Sequence, residues 1–183
     1  MDNYMQELLM RQNEQLSLLE RQDTHIRFCY TTVIAVIAAA FAVSANMILN
    51  IALLIIIPIS LRIVRLRKAA AHINGYITAY LEDKTNVKWE SHNNRFKKAY
   101  PGNFSDRLFY YASKSDLLVI SAAIIALFWY RQGPIDILSK ILLILFHSAV
   151  IVIEAAITRY FSSFYKQSDE ETKKWKSVLS KND

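Results

Sequence analysis

The chain has 183 residues, 53% of them hydrophobic and 21% charged, with a formal net charge of +6. These totals resemble an ordinary globular domain, but the distribution does not. Between Arg27 and Arg62 lie 34 consecutive residues, Phe28 to Leu61, without an acid, a base or a histidine, which excludes a plain soluble globule because about 18 such residues suffice for a membrane span.

Residues 1–27 carry five acids and three bases. They lack the basic n-region of a signal peptide, so the first apolar run is expected to be retained. Met5, Leu9, Gln12, Leu16, Leu19, Asp23 and Ile26 alternate spacings of four and three, an a/d seam of a short amphipathic helix. So short a helix is marginal alone. Two placements are open: the seam packs against copies of itself, or the helix lies on the membrane or on its own subunit.

Residues 28–64 follow. As one helix, the uncharged run would stretch about 51 Å at 1.5 Å per residue, well beyond a hydrocarbon core of about 30 Å. It is therefore read as a hairpin, Phe28 to Ala45 and Met47 to Val64, turning at Ser44, Ala45 and Asn46; one long tilted helix is the alternative. Pro58 falls inside the second span, where membrane helices tolerate proline.

Residues 65–116 form the basic segment. Past Arg62, Arg65, Arg67 and Lys68, a stripe of Ile73, Tyr76, Ile77, Tyr80 and Leu81 predicts that the second helix continues to about Glu82. From Lys84 to Lys114 cations and rings interleave: Lys88, Arg95, Lys97, Lys98 and Arg107 among Trp89, Phe96 and Tyr100. Such a mixture suits single-stranded nucleic acid or nucleotides, with cations tracking phosphates and rings stacking bases. It equally suits a topology-setting loop with interfacial anchors.

Residues 117–158 predict a second hairpin. Leu117 to Tyr130 ends in an aromatic trio, a Gly-Pro turn follows at residues 131–136, and Ile137 to Thr158 forms the last span. Residues 159–183 are a polar tail. The fold class expected is thus all-α, with four transmembrane helices in two hairpins. Residues 62–116 carry a net +6, the tail +2 and the N-terminal 27 residues −2. The positive-inside rule then puts both termini and the central segment in the cytoplasm.

Lys140, His147 and Glu154 repeat every seven residues on one face of the last helix, and Asn46 and Asn50 stand one turn apart on the second. Ionisable groups in a span are costly and face a partner or a water-filled cavity. Two polar faces in a small protein suggest a shared polar interior, and a pore between such subunits requires assembly around an axis, a tetramer being favoured. His147 reads equally as a hydrogen-bonded packing residue.

No enzyme chemistry and no cofactor are expected. The three glycines, Gly75, Gly102 and Gly133, are too dispersed for a phosphate loop, Cys29 is the single cysteine, and the four histidines fall on separate segments without metal spacing.

In layout the chain resembles the small bacterial membrane effectors that accompany nucleotidyltransferases in anti-phage defence, the Hailong B type. It shares a short helical N-terminus, paired spans and a basic, aromatic segment from Lys88-Trp89-Glu90 through Arg95-Phe96-Lys97-Lys98. The resemblance implies an oligomeric ion channel of the inner (cytoplasmic) membrane held shut by single-stranded oligodeoxyadenylate from a partner nucleotidyltransferase encoded nearby, depolarising the membrane when that signal is lost. It implies phosphate contacts at Lys88, Arg95, Lys97, Lys98 and Arg107 and base stacking at Trp89, Phe96 and Tyr100. Related two-span effectors gated by cyclic nucleotides share the layout. A scaffolding subunit of a membrane complex and a holin-like pore former are the alternatives from other classes.

Overall fold

A computed structural model describes the backbone of residues 3–92, 95, 104–161 and 164–180, and their side chains except those of 104–114, 161 and 164–166. The described residues are helical apart from short connections at 43–47, 86–88 and 132–136 and residue 180, with no strand among them. In chain order they form α1 (Asn3–Ala42), α2 (Ile48–Tyr76), a π-helical turn (Ile77–Leu81), α3 (Glu82–Thr85), α4 (Phe104–Arg131), α5 (Ile137–Phe161) and α6 (Phe164–Leu179). Three stretches are long and apolar enough to cross a membrane: Asn3–Ala42, Ile48–Thr85 taken through the π turn, and Ile137–Tyr160.

The uncharged run breaks between Ala42 and Ile48. Ser44 adopts a left-handed backbone, φ 55°, and its amide reaches back to the Phe41 carbonyl, which ends α1. Alanine and valine on either side offer no such conformation cheaply, whereas a small polar residue does. α2 starts four residues after Ser44, with the amides of Ile48 and Leu49 bonded to the carbonyls of Ala45 and Asn46. It passes through Pro58 without a break.

The chain divides into two units. The apolar unit holds Thr24–Val64 and Tyr111–Ser162. Each of its four helices presents a heptad-like row inward: Cys29, Val33 and Ala40 from α1; Leu49, Ile56 and Ile63 from α2; Leu117, Ile124 and Phe128 from α4; Val150 and Ile157 from α5. The opposite faces, such as Ile141, Leu145 and Val152 of α5, are exposed and apolar. Such a surface suits lipid rather than water.

The second unit holds Met1–Asp23, Arg65–Tyr110 and Ser163–Asp183. Its core is built on Leu8 of α1 and on Ile73, Ile77 and Leu81, which are four residues apart along α2 and the π turn. The stripe expected from sequence therefore buries Ile73, Ile77 and Leu81, with Tyr76 and Tyr80 packed at the edge. On α1, Leu8 and Gln22 are buried within the unit, whereas Leu9, Leu16 and Leu19 of the a/d seam are exposed, Leu16 at 57%. One residue along a helix turns the face by about 100°. Leu8 meets the α2 stripe, so the row one residue further on is left uncovered.

Glu82 is buried at 2% exposure yet bears a carboxylate. It accepts hydrogen bonds from the backbone amides of Glu90 (2.6 Å) and Ser91 (3.2 Å) and from the Ser91 hydroxyl. These are the second and third amides of a helical turn at 89–92, so Glu82 does from upstream what an N-cap side chain does locally. Asn86, left-handed at φ 56°, reverses the chain between them. Glu82→Ala is expected to strip two amides of their acceptor and destabilise this turn by about 1–3 kcal/mol. Faster hydrogen exchange at Glu90 and Ser91, and a smaller change in Glu82→Gln, would register it.

Candidate functional site

Of the polar side chains picked out in the apolar helices, Asn50 and His147 meet one another in the apolar unit. His147 of α5 is 4% exposed and bonded at both ring nitrogens. The Trp129 indole N–H donates to Nδ1 at 3.0 Å, and Nε2 lies 2.9 Å from Asn50 Oδ1. Because Nδ1 accepts, Nε2 carries the hydrogen and donates to the amide oxygen of Asn50. Both ring nitrogens are thereby satisfied by a neutral imidazole. Phe128 and Phe146 flank the ring, with centroids 5.1 and 5.5 Å away.

Further along the same two helices, the Ser60 hydroxyl of α2 donates to Glu154 Oε2 of α5 at 3.2 Å. α2 and α5 run parallel, so Asn50–His147 and Ser60–Glu154 are successive rungs of one polar seam between them. Asn46 bonds through its amide nitrogen to the Arg131 carbonyl at 2.5 Å, and the Arg131 guanidinium stands 4.0 Å over the Phe41 ring. Tyr30 of α1 donates to Asp116 of α4. Lys140 is exposed and joins none of these contacts.

The residues named for ligand binding are less assembled. Phe96, Lys97, Lys98 and Tyr100 lie outside the described residues, as does the side chain of Arg107 on α4. Lys88, Trp89 and Arg95 are exposed, Trp89 at 65%. Rings and cations converge elsewhere in that unit. Arg11, His72, Ile73, Tyr76 and Trp175 line a cavity of about 210 Å³. Tyr76 packs on Trp175 at 4.9 Å between centroids, His72 on Trp175 at 5.1 Å, and the Arg11 guanidinium lies 5.9 Å from the Tyr76 ring centre. Burial, and then the hydrogen bond to Glu7, push the Tyr76 phenol up to about 12.

Arg11 and Trp175 stand at opposite ends of the sequence, and no local pattern connects them. Gly75 is what brings them together. A Cβ there would lie 2.8 Å from Glu171 Cβ and 2.9 Å from the Glu171 carbonyl carbon, so α6 crosses α2 almost backbone to backbone at this residue. Beside the crossing, Glu171 contacts Lys174 at 2.6 Å and His72 at 2.7 Å.

Lys174 first, and then His72, hold the Glu171 carboxyl below its usual value of 4.5. A lowered acid contributes stability that is full above 4.5 and is lost as pH falls from there through the folded value. Amide exchange along α6 is therefore expected to accelerate on acidification across that window, with a flatter profile in Glu171→Gln.

Among the described residues no cluster of three or more His, Cys, Asp or Glu side chains could hold a metal ion. No family model matches the chain, and no curated protein and no solved structure matches it either.

Proposed function

We propose that the protein is a homo-oligomeric, four-span channel of the inner membrane, gated by a nucleotide or single-stranded oligonucleotide on its cytoplasmic side, and acting as an effector of anti-phage defence. The observation that carries the reading is the polar seam between α2 and α5. Two helices of a largely apolar unit spend Asn50, Ser60, His147 and Glu154 on one another, and ionisable residues within spans, costly to bury, are found along ion pathways and proton relays.

In the proposal α1 and α2 form one membrane hairpin, α4 and α5 the other, and separation of α2 from α5 opens the polar faces to an ion path shared among copies. The row of Leu9, Leu16 and Leu19 supports assembly, since it is an apolar stripe at heptad spacing that the described residues leave exposed. The cavity of Arg11, His72, Tyr76 and Trp175 supports a flat, anionic ligand, because a cation beside stacked rings is equipment for a phosphate next to a base. Lys88, Arg95, Lys97, Lys98 and Arg107 would extend the phosphate track.

Purified protein in liposomes tests it. Conductance that changes on adding oligodeoxyadenylate, and loses that response in Lys97→Glu/Lys98→Glu with the oligomer intact, is expected. Binding should weaken steeply with salt, as phosphate contacts do. Vesicles that never conduct would leave a scaffold, and conductance indifferent to nucleotide would leave a holin-like pore; either result overturns the gated-channel reading.

A further inference from the structure

α2 leaves a single narrow stripe uncovered. Ile51, Leu54, Pro58 and Leu61 are exposed, and so are Arg65 and Lys68 beyond them. These six follow steps of three, four, three, four and three residues, which keeps them on one face of a helix. Arg62 is the one other exposed residue between Ile51 and Lys68, and it widens the charged end. All of them stand on the unbroken helix Ile48–Tyr76, so their spacing is that of its own turns. The stripe changes character once, between Leu61 and Arg62.

The length of each part has a counterpart in a bilayer. Ile51 and Leu61 are ten residues apart, about 15 Å, half of a hydrocarbon core of about 30 Å. The apolar part thus matches one leaflet. Arg62 and Arg65 stand about 1.5 and 6 Å beyond Leu61, within a headgroup layer of about 5–7 Å on that side. Lys68 lies about 10.5 Å beyond Leu61, and its long apolar stem lets the ammonium reach back to that layer. Side chains on a helix also lean toward its N-terminus. On α2 that direction is toward the apolar part.

The three cations are left without counter-charges. Arg67, the fourth base of this stretch, is half-buried and donates through Nε to Gln22 at 3.0 Å. Among the described residues no acid pairs with Arg62, Arg65 or Lys68. Three unmatched cations at the end of an apolar stripe one leaflet long suit an amphiphile that carries an anion at the end of its chain. A second copy suits the stripe badly. Copies inserted under the same charge rule run parallel, so a neighbour presenting this face would set Arg65 against Arg65, and like charges so placed repel.

We propose that this stripe of α2 is a binding site for an anionic phospholipid of the cytoplasmic leaflet, with an acyl chain along Ile51, Leu54 and Leu61 and the phosphate at Arg62, Arg65 and Lys68. The proposal rests on α2 crossing the membrane, and it needs neither conduction nor nucleotide.

Electron paramagnetic resonance on the full chain in phosphatidylcholine vesicles tests it, with a trace of spin-labelled phosphatidylglycerol or spin-labelled phosphatidylcholine. The motionally restricted fraction is expected to favour phosphatidylglycerol. Arg65→Gln should lower that preference about fivefold, the weight of one surface cation for anionic lipid. Arg27→Gln removes the same charge from an exposed position on α1, off the stripe, and should leave the preference unchanged. Equal restriction of the two lipids by the unaltered protein overturns the proposal, as does an equal loss in Arg65→Gln and Arg27→Gln, which would make the attraction a matter of total charge. A disulfide formed in high yield between copies of Leu54→Cys, at low protein-to-lipid ratio, would give the face to a second copy and overturn it too.

Discussion

Gly75→Ala is expected to destabilise the unit that carries α6, against the ordinary benefit of alanine in a helix. Removing a glycine from a helix interior gains about 1 kcal/mol. Here the added methyl would lie 2.8–3.0 Å from Glu171 Cβ, the Glu171 carbonyl carbon and the Thr172 amide nitrogen. Two of those are backbone atoms, so no side-chain rotation relieves the overlap and α6 must move outward. Overpacking of this kind costs about 1–3 kcal/mol, and the shift also lengthens the His72–Glu171 contact and pulls Trp175 from Tyr76.

Gly75→Leu should go further and undock α6 altogether. Thermal unfolding and limited proteolysis at Lys173 and Lys174 measure this, with cleavage accelerated in both variants. Gly133→Ala is the control, because nothing lies within 4 Å of the position its Cβ would occupy. A Gly75→Ala protein as stable as the parent would show that the crossing is looser than its geometry.

The second large effect is expected at His147. His147→Ala removes a ring bonded on both sides and leaves the Trp129 N–H and the Asn50 oxygen without partners. In water-soluble cores each such orphan costs about 1–3 kcal/mol. Within a membrane the net value of a polar contact between helices is smaller, about 0.6 kcal/mol on average with a maximum near 1.7. The expected loss from the two contacts together is about 1–2 kcal/mol, with a further contribution from the space left beside Phe128 and Phe146.

The informative comparison is the double variant. Replacing both polar partners with apolar groups can approach neutrality, so His147→Leu/Asn50→Leu should be more stable than the two single losses predict. Chemical unfolding of the four proteins in one detergent gives the coupling directly. Strict additivity would show that Asn50 and His147 do not depend on one another.

Much of the fold is legible from residue order. The uncharged run from Phe28 to Leu61 is too long for one span, and the helix boundary at Ala42 falls two residues before Ser44, the small polar residue named as the turn. The stripe from Ile73 to Leu81 carries the second helix onward because its four-residue spacing matches the helical repeat. The choice of face on α1 was not legible. Leu8 and Leu9 are equally apolar, and only the position of Ile73, Ile77 and Leu81 decides which one is covered.

The candidate site divides along similar lines. Asn50, His147 and Glu154 stand out in sequence because polar groups in an apolar helix are costly and therefore conspicuous. Ser60 carries little such signal, since serine is small and common in membrane helices, and its meeting with Glu154 depends on how α2 and α5 align in depth. Arg11 and Trp175 are invisible as a pair, as nothing local relates residues so far apart.

Length and charge arithmetic set out four apolar stretches, three of which lie on helices long and apolar enough for a membrane, and assigned the whole net +6 to residues 62–116. Both follow from the free energy of transferring single side chains, a property additive along the chain. Only the tertiary structure decided which polar groups meet: the seam of Asn50–His147 and Ser60–Glu154, and the close crossing at Gly75. Those depend on rotation and depth of one helix against the next, which packing fixes and the order of residues alone does not.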